Sequence, residues 1–144
     1  MLVLDVNVLV YAFDVASPSH PTCATWLEHA GNANQLMGVS SQVMTAVVRI
    51  STNPAIFARP ARTEHVLDFL EDVRNLPAFF AAEPGPAHWS LFTKLILQHQ
   101  LQKASLTDGW LAALSLELGA SVVTTDSGFN RFRDLSVVNP LRAG

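Results

Sequence analysis

Three of the chain's twelve acidic residues stand where surface charge does not explain them. Asp5 breaks the apolar run from Leu2 to Phe13. There an unpaired carboxylate costs several kcal/mol or gives up its charge, and no turn or cap accounts for it unless Asn7 and the helix behind it supply donors. Asp126 follows the apolar stretch Ser121 to Thr125, and Asp108 opens the helical stretch before that. In open α/β sheets ligands bind beyond the carboxyl ends of the strands, so all three can converge on one edge. Converging carboxylates repel one another, and a divalent cation is the usual means of holding them ionised. All-oxygen ligation suits Mg²⁺ or Mn²⁺, and such a site can hydrolyse phosphodiesters, with one ion or with two about 4 Å apart. Plainer roles stand beside these: Asp108 next to Thr107 as a helix cap, Asp126 ahead of Ser127-Gly128 as a turn former.

Other chemistries lack their residues. His20, His29, His65, His88 and His99 show no zinc-ligand spacing, the nearest pairs being nine and eleven residues apart. No glycine-rich phosphate loop, nucleophile elbow or Cys-His pairing occurs, which argues against nucleoside-triphosphate chemistry and acyl transfer. Arg131-Phe132-Arg133 is the densest basic cluster and lies near Asp126, where it suits either phosphates or solvent.

The elements that must position these acids alternate. Leu2 to Val6 reads as a buried parallel strand, with Asn7 capping a helix from Val8 to Phe13. Helical spacing follows over His20 to Glu28, ended by Gly31, and over Gln42 to Ser51, capped by Ser40 or Ser41. Thr63 caps a helix with Val66, Leu67, Leu70, Val73 and Leu76 inward, and His88 to about His99 forms another with Trp89, Phe92, Leu95 and Ile96 inward. Thr107 or Asp108 starts the most apolar helix, through Leu118, and Gly119 closes it. Strands fall at Leu36 to Val39, Ala78 to Ala82, Ser121 to Thr125 and Ser136 to Val138. This alternation predicts a three-layer α/β/α sandwich with a central, mostly parallel sheet, as a single domain over residues 1–144.

Composition narrows the class further. With 49% apolar and 15% charged residues the chain builds a core and is not natively disordered. Its formal charge of −3 marks no global affinity for nucleic acid, so such a partner must be held locally. The lone Cys23 cannot form an internal disulfide. Mean hydropathy is high at +0.26. Even so, no window is apolar enough to span a membrane and no secretory leader is evident, so a cytoplasmic location is expected.

Taken in order, Leu4-Asp5-Val6-Asn7-Val8-Leu9, Arg49-Ile50-Ser51-Thr52-Asn53-Pro54, Thr107-Asp108 with Leu111-Ala112-Ala113-Leu114, Thr124-Thr125-Asp126, Phe129-Asn130-Arg131-Phe132 and Asn139-Pro140-Leu141 resemble the PIN-domain family, and within it the VapC toxins. The resemblance covers nearly the whole chain. It implies a Mg²⁺-dependent endoribonuclease that cuts structured RNA such as tRNA or ribosomal RNA, a homodimer, and a cognate antitoxin. By position it implies Asp5, Asp108 and Asp126 as the catalytic, metal-holding acids, with Asn7 or Thr125 in support. Two positions depart from the pattern. Ala46 stands where many PIN domains carry a glutamate, and Gly128 where a further acid is common. Glu117 is a poor substitute, since nine residues at about 100° each place it opposite Asp108. Two rival readings follow: a PIN-like module that binds RNA or protein without cutting, and an aspartate-nucleophile phosphatase, which lacks its second aspartate at Asn7 and a well-placed lysine.

Overall fold

The computed structural model describes residues 1–142, so the last two residues of the expected 1–144 domain lie outside the described residues. The chain opens in the middle of its sheet. Strand β1 (Leu2–Leu4) is buried throughout and leads into helix α1 (Val6–Phe13) and then α2 (His20–Gly31). Strand β2 (Met37–Val39), helices α3 (Ser41–Ser51) and α4 (Thr63–Arg74), and strand β3 (Phe79–Ala81) follow. Helices α5 (His88–His99) and α6 (Ala104–Leu118), strand β4 (Ser121–Val123), a 3-10 turn over Ser127–Arg131 and strand β5 (Val137–Val138) complete the order.

The five strands run in the order β3-β2-β1-β4-β5, every pairing parallel, as alternation with helical crossovers demands. Helix α1 packs on both α2 and α3, α3 packs on α4, and α5 packs on α6, which also lies against β4. The sheet grows outward from β1 in one direction to β3, then restarts on the other side with β4. The reversal therefore falls between β1 and β4, where doubly wound sheets open a crevice at the strands' carboxyl ends. Registers Val3↔Val122 and Leu4↔Val123, with the Asp5 amide donating to the Val123 carbonyl at 2.9 Å, carry Asp5 alongside Thr124. Helix α6 precedes β4 and runs back against it, so its first turns rise at that same edge.

Several boundaries differ from those the sequence suggests. The cap of α1 is Asp5 rather than Asn7, because β1 stops at Leu4 and the Asp5 side chain reaches the Val6 amide. Helix α4 begins at Thr63 with Arg62 as its unbonded cap. Helix α6 begins at Ala104, a full turn before Thr107 and Asp108, so neither residue is its cap. Trp89 and Leu67 face outward at 69% and 51% exposure, while their helices bury His88 and Leu95, and Val66, Leu70 and Val73. Gly119 closes α6 in the left-handed region at φ 65°, as its sequence position suggests. In β2, a side chain at Gly38 would stand 2.6 Å from the Phe80 ring, so only glycine fits beneath it.

Candidate functional site

Asp5 leaves β1 in an extended conformation, which turns its half-buried carboxyl back over the start of α1. Oδ1 accepts from the Val6 amide at 2.7 Å, and Oδ2 accepts from the Thr124 hydroxyl at 2.7 Å and the Asn7 side-chain amide at 3.2 Å. Burial raises the Asp5 pKa, and the nearby Asp126 charge adds to the rise; the bonds from Thr124, Val6 and Asn7 oppose it. Asp5 is thus both a helix cap and a desolvated carboxyl on the sheet edge.

Thr124 is the hub that sequence reasoning missed. Buried at 1% exposure, its hydroxyl donates to Asp5 and accepts from the Asn7 side chain at 3.2 Å and the Asp126 amide at 3.0 Å. The Asn7 side-chain amide donates to both Asp5 Oδ2 and the Thr124 hydroxyl at 3.2 Å. Thr125 contributes only its backbone amide, to Asn7 Oδ1 at 3.2 Å, because the side chain that continues inward from β4 is Thr124. A threonine directly after the fully buried Val122 and Val123 was the available signal: a hydroxyl there must find a partner.

Asp108 sits in the second turn of α6, half-buried, with no hydrogen bond to its carboxyl among the described residues. The capping explanation for it is gone. Burial and then the Asp5 and Asp126 charges push its pKa up to about 6, while the Arg131 guanidinium pulls the other way. Asp126 is exposed and caps the 3-10 turn, Oδ1 accepting from the Gly128 amide at 2.8 Å, so the turn-forming role is real and coexists with its place beside the other acids. Asp108 senses the charges of Asp5 and Asp126, and Asp5 that of Asp126, across the β1–β4 crevice. Among the described residues, however, no three His, Cys, Asp or Glu side chains close into a metal cage. Hard oxygen donors in an open arrangement suit a hard divalent cation that completes its shell with water and phosphate oxygens.

The remaining acids nearby have other work. Glu117 accepts from the Gly85 and Ala87 amides at 2.7 and 2.8 Å, which lowers its pKa and pins the loop ahead of α5, in keeping with its expected exclusion from the site. Glu83 accepts from the Ser41 amide. At Gly128, Arg131 Nη2 lies 3.0 Å from where a side chain would begin, and Arg131 Nε donates to the Gly128 carbonyl at 2.8 Å. A guanidinium therefore occupies the space next to the missing acid. Arg133 lies elsewhere, beside His99 and Asp134.

Residues 2–135 match the family described as "PIN domain". The chain belongs to the PIN-domain family. This PIN domain is 32% identical over 141 residues to the VapC ribonuclease Mb2897 of Mycobacterium bovis, covering 98% of this chain and 96% of that one. It is 30% identical over 140 residues to ribonuclease VapC25 of Mycobacterium tuberculosis, covering 97% and 99% of the two chains. Among solved structures it resembles that of VapBC2 from Rickettsia felis bound to a DNA fragment from their promoter, with a TM-score of 0.67, 18% identity and coverage of 96% and 97%. At that identity the likeness is one of PIN fold.

Proposed function

We propose that this PIN domain, a single unit over residues 1–144, is a Mg²⁺-dependent endoribonuclease of the VapC type that cuts structured RNA, tRNA or ribosomal RNA, and is restrained by a cognate antitoxin. What supports the reading is the placement of Asp5, Asp108 and Asp126 about the β1–β4 crevice, near enough that burial and the other two charges push the Asp108 pKa up to about 6. The ribonuclease names of its relatives support it.

Asp5, Asp108 and Asp126 would hold the cation, with Mn²⁺ able to replace Mg²⁺. When bound, it supplies polarisation of a phosphoryl oxygen and eases deprotonation of the attacking water. Asp5, held by Thr124 and Asn7, would present its carboxylate to the cation in a fixed direction. The Asp108 carboxyl takes no hydrogen bond among the described residues, so it would be free to turn its oxygens to the cation. A homodimer fits the outward apolar side chains of α5, Trp89 at 69% and Leu97 at 81% exposure, which need cover. No helix among the described residues is long and apolar enough to cross a membrane, and the proposed location is cytoplasmic.

Ala46 and Gly128 favour one alternative, a PIN module that binds RNA without cutting it. Incubation of purified total RNA with the protein in Mg²⁺ or EDTA separates the two readings: discrete cuts lost in EDTA support the nuclease, and bound but intact RNA supports the module.

Thr124→Val keeps the branched shape and removes the hub. Cleavage and cation affinity are expected to fall about 10–100-fold, as when a partner behind a metal ligand is lost, with about 1–2 kcal/mol lost in urea unfolding. An unchanged cleavage rate in single-turnover assays would show that Thr124 does not position Asp5.

A further inference from the structure

Beside the acids, a cleft of about 420 Å³ opens between α3 and α6, lined by Ser41, Gln42, Thr45, Ala46, Arg49 and Thr107. That volume falls in the roughly 300–1,000 Å³ range of small-ligand clefts. Its lining contains no carboxylate. The Arg49 guanidinium has no ion pair or hydrogen bond among the described residues, and the same holds for the Gln42 amide and the Ser41 and Thr107 hydroxyls. Of the polar side chains here only Thr45 is engaged, donating to the Ser41 carbonyl at 2.8 Å, and Glu83 is held outside the lining on the Ser41 amide. Ala46 lies one helical turn before Arg49, on the same face, and its short side chain leaves room in front of the guanidinium. Thr107 precedes Asp108, so the rim of the cleft is one residue from the acids.

A row of exposed hydroxyl and amide groups around one cation, with Ala46 the one apolar side chain in the lining, suits an oxyanion. A polyanionic strand positioned at the acids carries a phosphate at every nucleotide, so its neighbouring phosphates must lie along this edge. Next to three carboxylates such a phosphate needs a positive partner, and a guanidinium can engage two of its oxygens at once.

We propose that this cleft binds a backbone phosphate of RNA adjacent to the bond that is cut, with Arg49 as its cationic partner; the proposal rests on the reading of the protein as one that engages RNA.

The test uses a short fluorescein-labelled oligouridylate in EDTA, where no cutting competes, with affinity followed by anisotropy against salt. Arg49→Gln is expected to weaken binding about tenfold and to reduce the slope of log affinity against log salt by about 0.7, the value for one phosphate on a single strand. Arg49→Lys should keep the slope and regain part of the affinity. Ala46→Glu, which places a carboxylate before Arg49, should reproduce the loss, and matching circular dichroism and melting curves establish that each variant folds. An Arg49→Gln protein with wild-type slope and affinity overturns the proposal, as does a wild type that binds no oligouridylate. Cleavage separates the two readings: RNA bound through Arg49 yet never cut in Mg²⁺ sinks the nuclease and keeps the cleft. RNA cut normally by a variant whose slope has not changed sinks the cleft and keeps the nuclease.

Discussion

Asp5→Asn should lose about 1,000-fold in RNA cleavage, which is about 4 kcal/mol of transition-state stabilisation, the several kcal/mol a cation supplies to a phosphoryl centre. The same substitution should leave the fold intact. Asparagine retains an oxygen for the Val6 amide, so the cap of α1 survives, at the cost of the bonds that Oδ2 accepts from the Thr124 hydroxyl and the Asn7 side chain. It also removes a buried charge that faces Asp126. The melting temperature of Asp5→Asn in EDTA at neutral pH is therefore expected to equal or exceed that of the wild type. Full activity in this variant would remove Asp5 from the site. An inactive variant that is also unfolded would reduce the residue to its capping role.

The second large effect is on stability against pH. A carboxyl whose pKa is higher in the folded protein than in the unfolded chain binds its proton more tightly when folded. The fold thus has that stabilisation below the unfolded value and loses it as pH rises through the folded one. Asp108 shifts from 3.8 to about 6, and Asp5 shifts in the same direction. In EDTA the protein should lose stability as pH climbs from about 4 to about 6, and Asp108→Asn should flatten that part of the profile. At neutral pH, Mg²⁺ or Mn²⁺ at a hundred times its dissociation constant contributes about 2.7 kcal/mol. For a chain of this size that raises the melting temperature by roughly 5–10 °C. Thermal scans in EDTA and in excess cation, on wild type and Asp108→Asn, measure both effects. A wild-type profile flat over that interval, with no response to cation, would contradict the account of the acids.

The alternation of strands and helices was legible because it is written in local patterns. The span His88–His99 and the closing Gly119 follow from spacing and a terminal glycine alone. The start of α6 was not legible, for a physical reason: its cap is Lys103, at φ 54° with no side-chain bond, so nothing in the residue types announces it, and Thr107-Asp108 imitates a cap further on. Trp89 and Leu67 misled in the opposite direction, since apolar residues at helical spacing read as buried wherever the true apolar stripe is narrower.

The site divides in the same way. Asp5 stood out because a carboxylate inside an apolar strand is costly, whereas Asp108 and Asp126 were visible only through where the sheet's carboxyl edge must lie. Thr124 was not legible, because its role depends on the β1–β4 register, which joins residues 119 positions apart in the chain. The spare Arg49 beside Ala46, and Arg131 folded over Gly128, likewise emerge only when α3, α6 and the 3-10 turn are seen together.

The central claim is that three carboxylates, without the acids missing at Ala46 and Gly128, suffice to hold a divalent cation. Calorimetric titration of Mn²⁺ into the wild type and into Asp5→Asn, Asp108→Asn and Asp126→Asn tests it most directly. The account predicts one ion per chain in the wild type and weaker binding by at least about tenfold in each variant. No binding by the wild type, or binding that none of the three substitutions weakens, would contradict it.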